Sequence, residues 1–366
     1  MIHLTRRQAL RLAALSVSSV ALAACRAPAR APTPPAAAPP DITRQVTATA
    51  EALATPTPAT PLRRLWGEGP SVSVTPIADF FDLAISQRHD WFSSEPYRLS
   101  VSGLVERPLS LSLADIKALP VVEDMRTLEC IGNAAGGSLI GNAVWKGARL
   151  ADILRLAGVR SLAVEIKLTG ADGYATTVPL ALATQPDSLL VYEMNGEPLP
   201  PKHGAPLRAI FAGRYAQKDP KWITAIEALA EPSLGFWESQ GWSNEAMIRV
   251  NSQIRTPENG DALSPGPVVV SGTVLGNESG VARLEISADG GQTWHEAKLV
   301  HAPTPLAWSE WRYEWPAQTT GEITLMARAT DNDGNQQPLM ADDAPAPDAA
   351  TEGTWHVHRV RVTVQP

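Results

Sequence analysis

From about Leu62 to Arg255, short alternating runs of apolar and polar residues are interleaved with stretches of helical spacing. Tyr97–Val105 alternates in the way of a strand with one buried face. Ser110–Leu119 offers serine N-caps followed by a helical pattern, and Pro120 ends it. Ala148–Ala157 predicts a second amphipathic helix, with Gly158 placed as its C-cap. Further strands are expected at Ala163–Thr169, Ser188–Glu193 and Leu207–Ala212. Together these elements read as a mixed α+β body over residues 62–255.

The pattern changes near Thr256-Pro257, and residues 256–366 read as a second body. Short alternating runs follow at Val268–Leu275, Val281–Ser287, Trp294–Val300, Trp308–Trp315, Gly321–Thr330 and Thr354–Val364. Asp289-Gly290-Gly291 lies between two of them and is a strong hairpin signal. Evenly spaced short strands with glycine turns over about 100 residues read as an immunoglobulin-like β-sandwich. Gln336–Gly353 is rich in Pro, Ala and Asp and is expected to be a long surface loop.

The amino-terminal residues follow neither pattern. Paired Arg6 and Arg7 precede an apolar stretch from Leu12 to Ala24, too short to span a bilayer. Residues 1–24 therefore read as an export signal, and the arginine pair resembles the twin-arginine type. Leu22-Ala23-Ala24-Cys25 resembles a lipoprotein cleavage site, which would make Cys25 a lipid anchor. Residues 25–61 are rich in Pro, Ala and Thr without apolar period, as expected of a semi-extended tether. The expected location is extracytoplasmic, on a membrane surface.

Composition narrows the partners. Net charge is −7, and the arginines of residues 1–24 add nothing to a mature chain. Nucleic acid and anionic membrane both need a cationic face, so neither is expected as the main partner. Eleven tryptophans against five tyrosines and five phenylalanines suggest large apolar side chains lining a core or a pocket. With Cys25 in the signal, Cys130 is the one cysteine left in the folded body, without a disulfide partner.

Cys130 ends the short run Arg126-Thr127-Leu128-Glu129, and Ile131-Gly132-Asn133-Ala134-Ala135-Gly136-Gly137 follows at once. Such a loop holds a sulfur at an exposed strand end, where backbone can approach a ligand closely. Taken alone, a lone cysteine is more often a small core hydrophobe. Its neighbours change that reading. Leu139–Gly147, Glu193–Arg208 and Gly213–Trp222 resemble, in that order, the molybdopterin-binding domain of the sulfite-oxidase family. Ile286–Trp294 looks like that family's carboxyl-terminal dimerisation domain.

The resemblance implies a molybdenum centre carried by a single pyranopterin dithiolene, with Cys130 as the thiolate ligand. Molybdenum is thiophilic, which suits a soft sulfur ligand. His203, Arg208, Arg214, Lys218 and Lys221 supply cations for the pterin phosphate, although basic residues more often form a solvated face. By resemblance, His203, Arg208 and Lys221 match cofactor-binding positions, within a stretch that also holds Asp219 and Pro220. Gln87, Arg88 and Asp172 fall near other such positions. The implied activity is oxygen-atom transfer on a small sulfur compound, with sulfite in first place. A sulfoxide or N-oxide reductase with the same cofactor is an alternative, and a non-catalytic surface-binding lipoprotein is a third reading. No Cys-x-x-Cys-His haem site occurs in the sequence, so a separate redox partner such as a cytochrome c is expected. A homodimer through the second body is implied as well.

Two positions depart from sulfite oxidases proper. An arginine that helps hold the sulfite anion follows the ligand cysteine by five residues in those enzymes; here that position is Ala135. Their tyrosine near the metal is matched by Trp242, which has no hydroxyl. Loss of a bidentate arginine from an anion pocket costs about 1–3 kcal/mol, roughly tenfold or more in binding. Arg126 and Arg214 are the residues that could compensate.

Overall fold

The computed structural model describes residues 73–92, 96–300, 306–340, 353 and 355–366. The export signal, Cys25 and the tether lie outside the described residues, as does most of the proline-rich loop after residue 340.

Two sheets make up the first half. The first has β1 (Leu99–Gly103), β2 (Leu109–Leu111), β5 (Glu165–Gly170), β6 (Ala175–Pro179) and β10 (Ile223–Leu229), in the order β2-β1-β10-β5-β6. The second orders β3 (Val121–Glu129), β4 (Ile140–Arg149), β7 (Leu189–Met194) and β8 (Glu197–Pro198), with β9 (Arg208–Ile210) also paired to β7. β1 and β10 run parallel, so the intervening chain must cross over between them.

Helix is sparse among the described residues: α1 (Leu113–Lys117), α2 (Leu150–Ala157) and α3 (Leu180–Ala183). Ser112 closes a capping box with Asp115, so the first expected helix is shorter than its pattern; its leading residues instead pair as β2. α2 ends on Gly158 in the left-handed conformation, as expected, while Ala148 and Arg149 complete β4.

The second sheet is buried on both faces, and β7 shows how. Leu190 and Tyr192 enter one core with α2 and the first sheet; Leu189 and Val191 enter another with Phe80, Leu128 and Trp145. A two-residue period between two cores gives the unbroken apolar run that predicted this strand.

In the second half, β11 (Asn251–Thr256), β13 (Gly266–Leu275), β17 (Ser309–Ala317) and β16 (Lys298–Leu299) form one sheet. β12 (Ala262–Leu263), β19 (His358–Val364), β18 (Gly321–Asp331), β14 (Val281–Ser287) and β15 (His295–Glu296) form the other. Inward residues of both, including Val270, Trp311, Leu284, Leu325 and Val362, share one core. The run Trp294–Val300, expected as one strand, divides into β15 and β16, which pair in different sheets. β11 starts before the expected boundary and pairs with β13. A third cluster, with Met125, Ile131, Tyr215, Ile248, Leu275 and Trp308, joins the two halves, and both belong to one compact unit.

Gly147 lies at a register shift between β4 and β7, where the backbones come close together. A Cβ there would stand 2.0 Å from the Leu190 carbonyl oxygen and 2.6 Å from the Val191 Cα. Neither backbone atom can move aside cheaply. Gly147→Val is expected to destabilise the fold by about 1–3 kcal/mol or more, seen as a lowered midpoint in thermal or urea unfolding.

Candidate active site

Cys130 follows directly on β3, and the turn after it is held from inside. The Cys130 amide donates to the Leu139 carbonyl at 2.9 Å, and the Asn133 amide donates to the Cys130 carbonyl at 2.9 Å. The Asn133 side chain accepts from the Leu139 amide (2.9 Å) and donates to Glu129 (3.0 Å). The other Glu129 oxygen accepts from Asn251 Nδ2 on β11 at 3.0 Å. Glu129 is 1% exposed, and burial pushes its pKa up to about 7 against its amide hydrogen bonds. Gly136, in the same turn, has a φ of +74°, and a Cβ on it would stand 2.0 Å from Nε2 of His358 on β19. The cysteine loop is therefore packed against both sheets of the second half.

Cys130 is half-buried and free. Burial raises its thiol pKa and the Glu129 carboxylate adds to that, against one hydrogen bond from Gly132. The thiol faces a cavity of about 250 Å³. Ile131, Tyr174, Trp237 and Trp242 belong to its wall, and Phe80, Phe81 and Ile85 close it from the 76–85 segment. A Cβ built on Gly132 would lie 3.9 Å from both the Cys130 sulfur and the Trp242 ring, so the thiol and the ring flank this glycine.

Asp172, Arg208, Asp219, Pro220 and Lys221 share this cavity with Cys130, as a cofactor site from these residues requires. Arg208 is 4% exposed; it donates to the His203 and Asp219 carbonyls at 3.2 Å each, and its Nε has no protein partner. Burial lowers its pKa. Asp219 accepts from the Phe211 amide at 2.8 Å, and burial pushes its carboxyl up to about 7. Lys221 donates to the Lys202 carbonyl at 2.8 Å and pairs with Asp82. Burial, then repulsion from Arg208, bring it down to about 8.

The other expected residues do not line the cavity. Lys218 forms a buried ion pair with Glu238 at 2.6 Å and donates to the Thr177 carbonyl and Asn244. Arg214 pairs with Glu278 at 2.8 Å, toward the second half. His203 is fully buried, edge-on to Phe80, with Nε2 3.2 Å from the Ile77 carbonyl and Nδ1 without a partner. Gln87 is exposed, and Arg88 pairs with Asp90 at 3.0 Å. Their segment still borders the cavity, because His89 stacks on Trp222, one of its walls, at 5.7 Å.

Sequence reasoning missed the Glu129 and Asn251 brace and the cavity residues Tyr174 and Gln217. Gln217 sits in the basic stretch already singled out, and its buried Oε1 has no partner. The Lys218–Glu238 pair has a consequence for the site: it ties the turn that bears Gln217 to the segment that bears Trp237 and Trp242.

Residues 86–237 match the oxidoreductase molybdopterin-binding domain, and residues 243–364 match the Mo-co oxidoreductase dimerisation domain. The chain is thus a molybdenum-cofactor-dependent oxidoreductase. Sulfite oxidase of Arabidopsis thaliana is 29% identical over 320 residues, covering 72% of this chain and 81% of that protein. Mitochondrial sulfite oxidase of Homo sapiens is 31% identical over 324 residues, 74% of this chain and 58% of that one. The chain therefore spans little more than half of the human protein. An uncharacterized oxidoreductase of Bacillus subtilis is 40% identical over 146 residues, 40% of this chain and 72% of the relative. The structure of the sulfane dehydrogenase SoxCD from Paracoccus pantotrophus superposes with a TM-score of 0.59 at 24% identity, over 66% of this chain and 69% of that one, and shares the fold. The protein belongs to the sulfite-oxidase family of molybdopterin-binding oxidoreductases.

The residues present fit that cofactor. Among the described residues no three His, Cys, Asp or Glu side chains converge on one point, so the protein offers the metal a single thiol. A metal with one protein ligand must bring the rest of its coordination, as a pterin-borne metal does. The unpartnered Arg208 Nε and Gln217 Oε1 supply a donor and an acceptor for a polar guest.

Two outcomes follow from the buried charges. Lys218→Met leaves Glu238 buried without its cation, so unfolding free energy should fall by roughly 3–5 kcal/mol in urea titration. The His203 ring is neutral when folded, since burial moves its pKa from 6.5 to about 4. The unfolded chain binds the proton first, so this group's stabilisation is lost as pH falls from 6.5 toward 4. His203→Gln should give a shallower loss of urea midpoint over that window than the parent chain.

Proposed function

We propose that this protein transfers an oxygen atom to or from a small sulfur compound at the cavity beside Cys130. The observation that carries this reading is a free thiol at the edge of a cavity that also holds the fully buried, incompletely satisfied Arg208. Cys130 would ligate molybdenum held by a single pyranopterin dithiolene. Arg208 and Lys221 would bind the pterin phosphate, and Gln217 and Asp172 its hydrogen-bonding ring. His203, Arg214, Lys218, Gln87 and Arg88 would act from around the site, through the backbone and walls they hold. When bound, the cofactor supplies two-electron exchange coupled to oxygen-atom transfer. The protein's part is to fix the ligand thiol, neutralise the phosphate and keep water away with Trp237 and Trp242.

Sulfite is the substrate class named by the relatives. Electrons would pass to or from a separate redox protein such as a cytochrome c. The second half, read as an immunoglobulin-like domain from about residue 256, would form a homodimer, in keeping with the dimerisation-domain match. Export by a twin-arginine signal and anchoring through a lipid on Cys25 would place the enzyme outside the cytoplasm.

Purified from a host that makes the cofactor, the chain should carry close to one molybdenum by elemental analysis. A metal-free product would favour the non-catalytic binding lipoprotein. Cys130→Ser should abolish turnover and leave the thermal midpoint within a few degrees of the parent; surviving turnover would remove Cys130 from its role.

A further inference from the structure

β11 presents two faces. Val250, just before it, and Ile254 enter the sandwich core, and Ser252 between them donates to Gln337 at 2.6 Å. Asn251 lies on the opposite face, as alternation along a strand requires. It is 5% exposed, and its Nδ2 donates to Glu129 at 3.0 Å and to the Arg249 carbonyl at 3.1 Å. One amide thus joins a strand locked into the second half to the residue before the thiol.

From Glu129 the hydrogen bonds continue in series to the cysteine itself. Asn133 Nδ2 donates to the second Glu129 oxygen, the Leu139 amide donates to Asn133 Oδ1, and the Cys130 amide donates to the Leu139 carbonyl. Among the described residues, Asn251 is the donor that meets the Glu129 oxygen not taken by Asn133. Arg255 attracts this carboxylate without a hydrogen bond. Arg126 lies on the other face of β3 and is taken: its Nε donates to Asp124 at 3.0 Å, and its terminal nitrogens engage Asp187.

Without Asn251, one Glu129 oxygen is buried with no donor, or the carboxylate turns away and releases Asn133. Asn133 is the side chain that holds the turn through Leu139, so the thiol would lose its direction. His358 backs the far end of the same loop. Its Nδ1 accepts from the Ile254 amide at 3.0 Å, which fixes the ring whose other edge stands against Gly136. Partners outside the ligand shell orient a metal ligand in this manner.

We propose that Asn251, a residue of the second half, is a positioning residue for the Cys130 thiolate. Acting through Glu129 and Asn133, it sets the direction from which the sulfur meets the metal. The proposal rests on the ligand role given to Cys130 above and extends the metal site into the second half.

Two variants break the series in different ways. Asn251→Leu keeps the volume and removes the donor, while Glu129→Gln faces two amide donors with one oxygen. In the full-length, metal-free chain, alkylation by iodoacetamide can be followed at Cys130 apart from Cys25 by peptide mass spectrometry. Each variant should raise the Cys130 rate about tenfold, as expected for the loss of one hydrogen bond to a charged group. Adding Asn251→Asp to Glu129→Gln exchanges donor and acceptor across the contact and should return the rate toward the parent value. In the molybdenum-loaded chain, the single variants should shift the metal's midpoint potential and paramagnetic resonance, and the exchanged pair should restore both.

Leu284→Ala, in the sandwich core, lowers the thermal midpoint without entering the series and should leave all three readouts unchanged. Single variants that alkylate at the parent rate or keep the parent resonance overturn the proposal, as does Leu284→Ala producing the same changes. Should Asn251→Leu not fold, Glu129→Gln and the exchanged pair decide the matter. A parent chain that takes up no molybdenum overturns the ligand reading and this proposal with it, whatever the alkylation rates.

Discussion

Glu129 is a carboxylate buried one residue before the candidate metal ligand, and burial of that kind is tolerated only with hydrogen bonds in place. Its two oxygens are met by amides from opposite directions: Asn133 in the cysteine loop and Asn251 on the first strand of the second half. Neither amide can leave without stranding the acid, so β3, the loop and β11 are held in one arrangement. The apolar cluster of Ile131, Tyr215, Leu275 and Trp308 lies across the same junction, and His358 stands against Gly136. The second half therefore acts directly on this site. It is a wall against which the ligand loop is braced.

A second buried pair does the same for the other side of the cavity. Lys218 and Glu238 are almost wholly enclosed, and each is the other's counter-charge. The pair fixes the turn at Ala216–Lys218 against the turn at Glu238–Gln240, and so sets Gln217 against Trp237 and Trp242. Thr176 and Tyr174 complete the contact by hydrogen bonds to Glu238 and to the Gln217 carbonyl. Charges that looked from sequence like phosphate ligands are in part structural. They shape the cavity from behind its lining.

Much of the fold could be read in the sequence wherever one rule of periodicity applied alone. Val281–Ser287 and the Gly158 cap were found as expected because alternation and cap chemistry were not disturbed. β3 was missed because Asp124, Arg126, Thr127 and Glu129 break its apolar pattern, although all four are buried. Their partners, Asn142 and Asp187 among them, are distant in sequence, and no local pattern announces them. Cys130 was legible through its neighbours. The basic cluster after His203 was legible as residues but not as directions: one 3-10 turn sends Lys218 inward to Glu238, while Arg208, Asp219 and Lys221 reach the cavity.

The commitment of Arg126 is itself a product of strand geometry. On β3, residues two apart share a face, so Asp124 and Arg126 are neighbours before any tertiary contact forms. Asp187 then approaches from the turn before β7 and completes the enclosure. An arginine caught in this way by its own strand cannot swing toward the thiol without losing two acidic partners at once. Relatives near 30% identity mark the family, while the enclosure of Arg126 is read from this chain's own contacts. In this chain the strand that leads to Cys130 also holds its arginine against Asp124 and Asp187. The same β3 geometry thus sets the Cys130 thiol at the cavity and fixes Arg126 behind it.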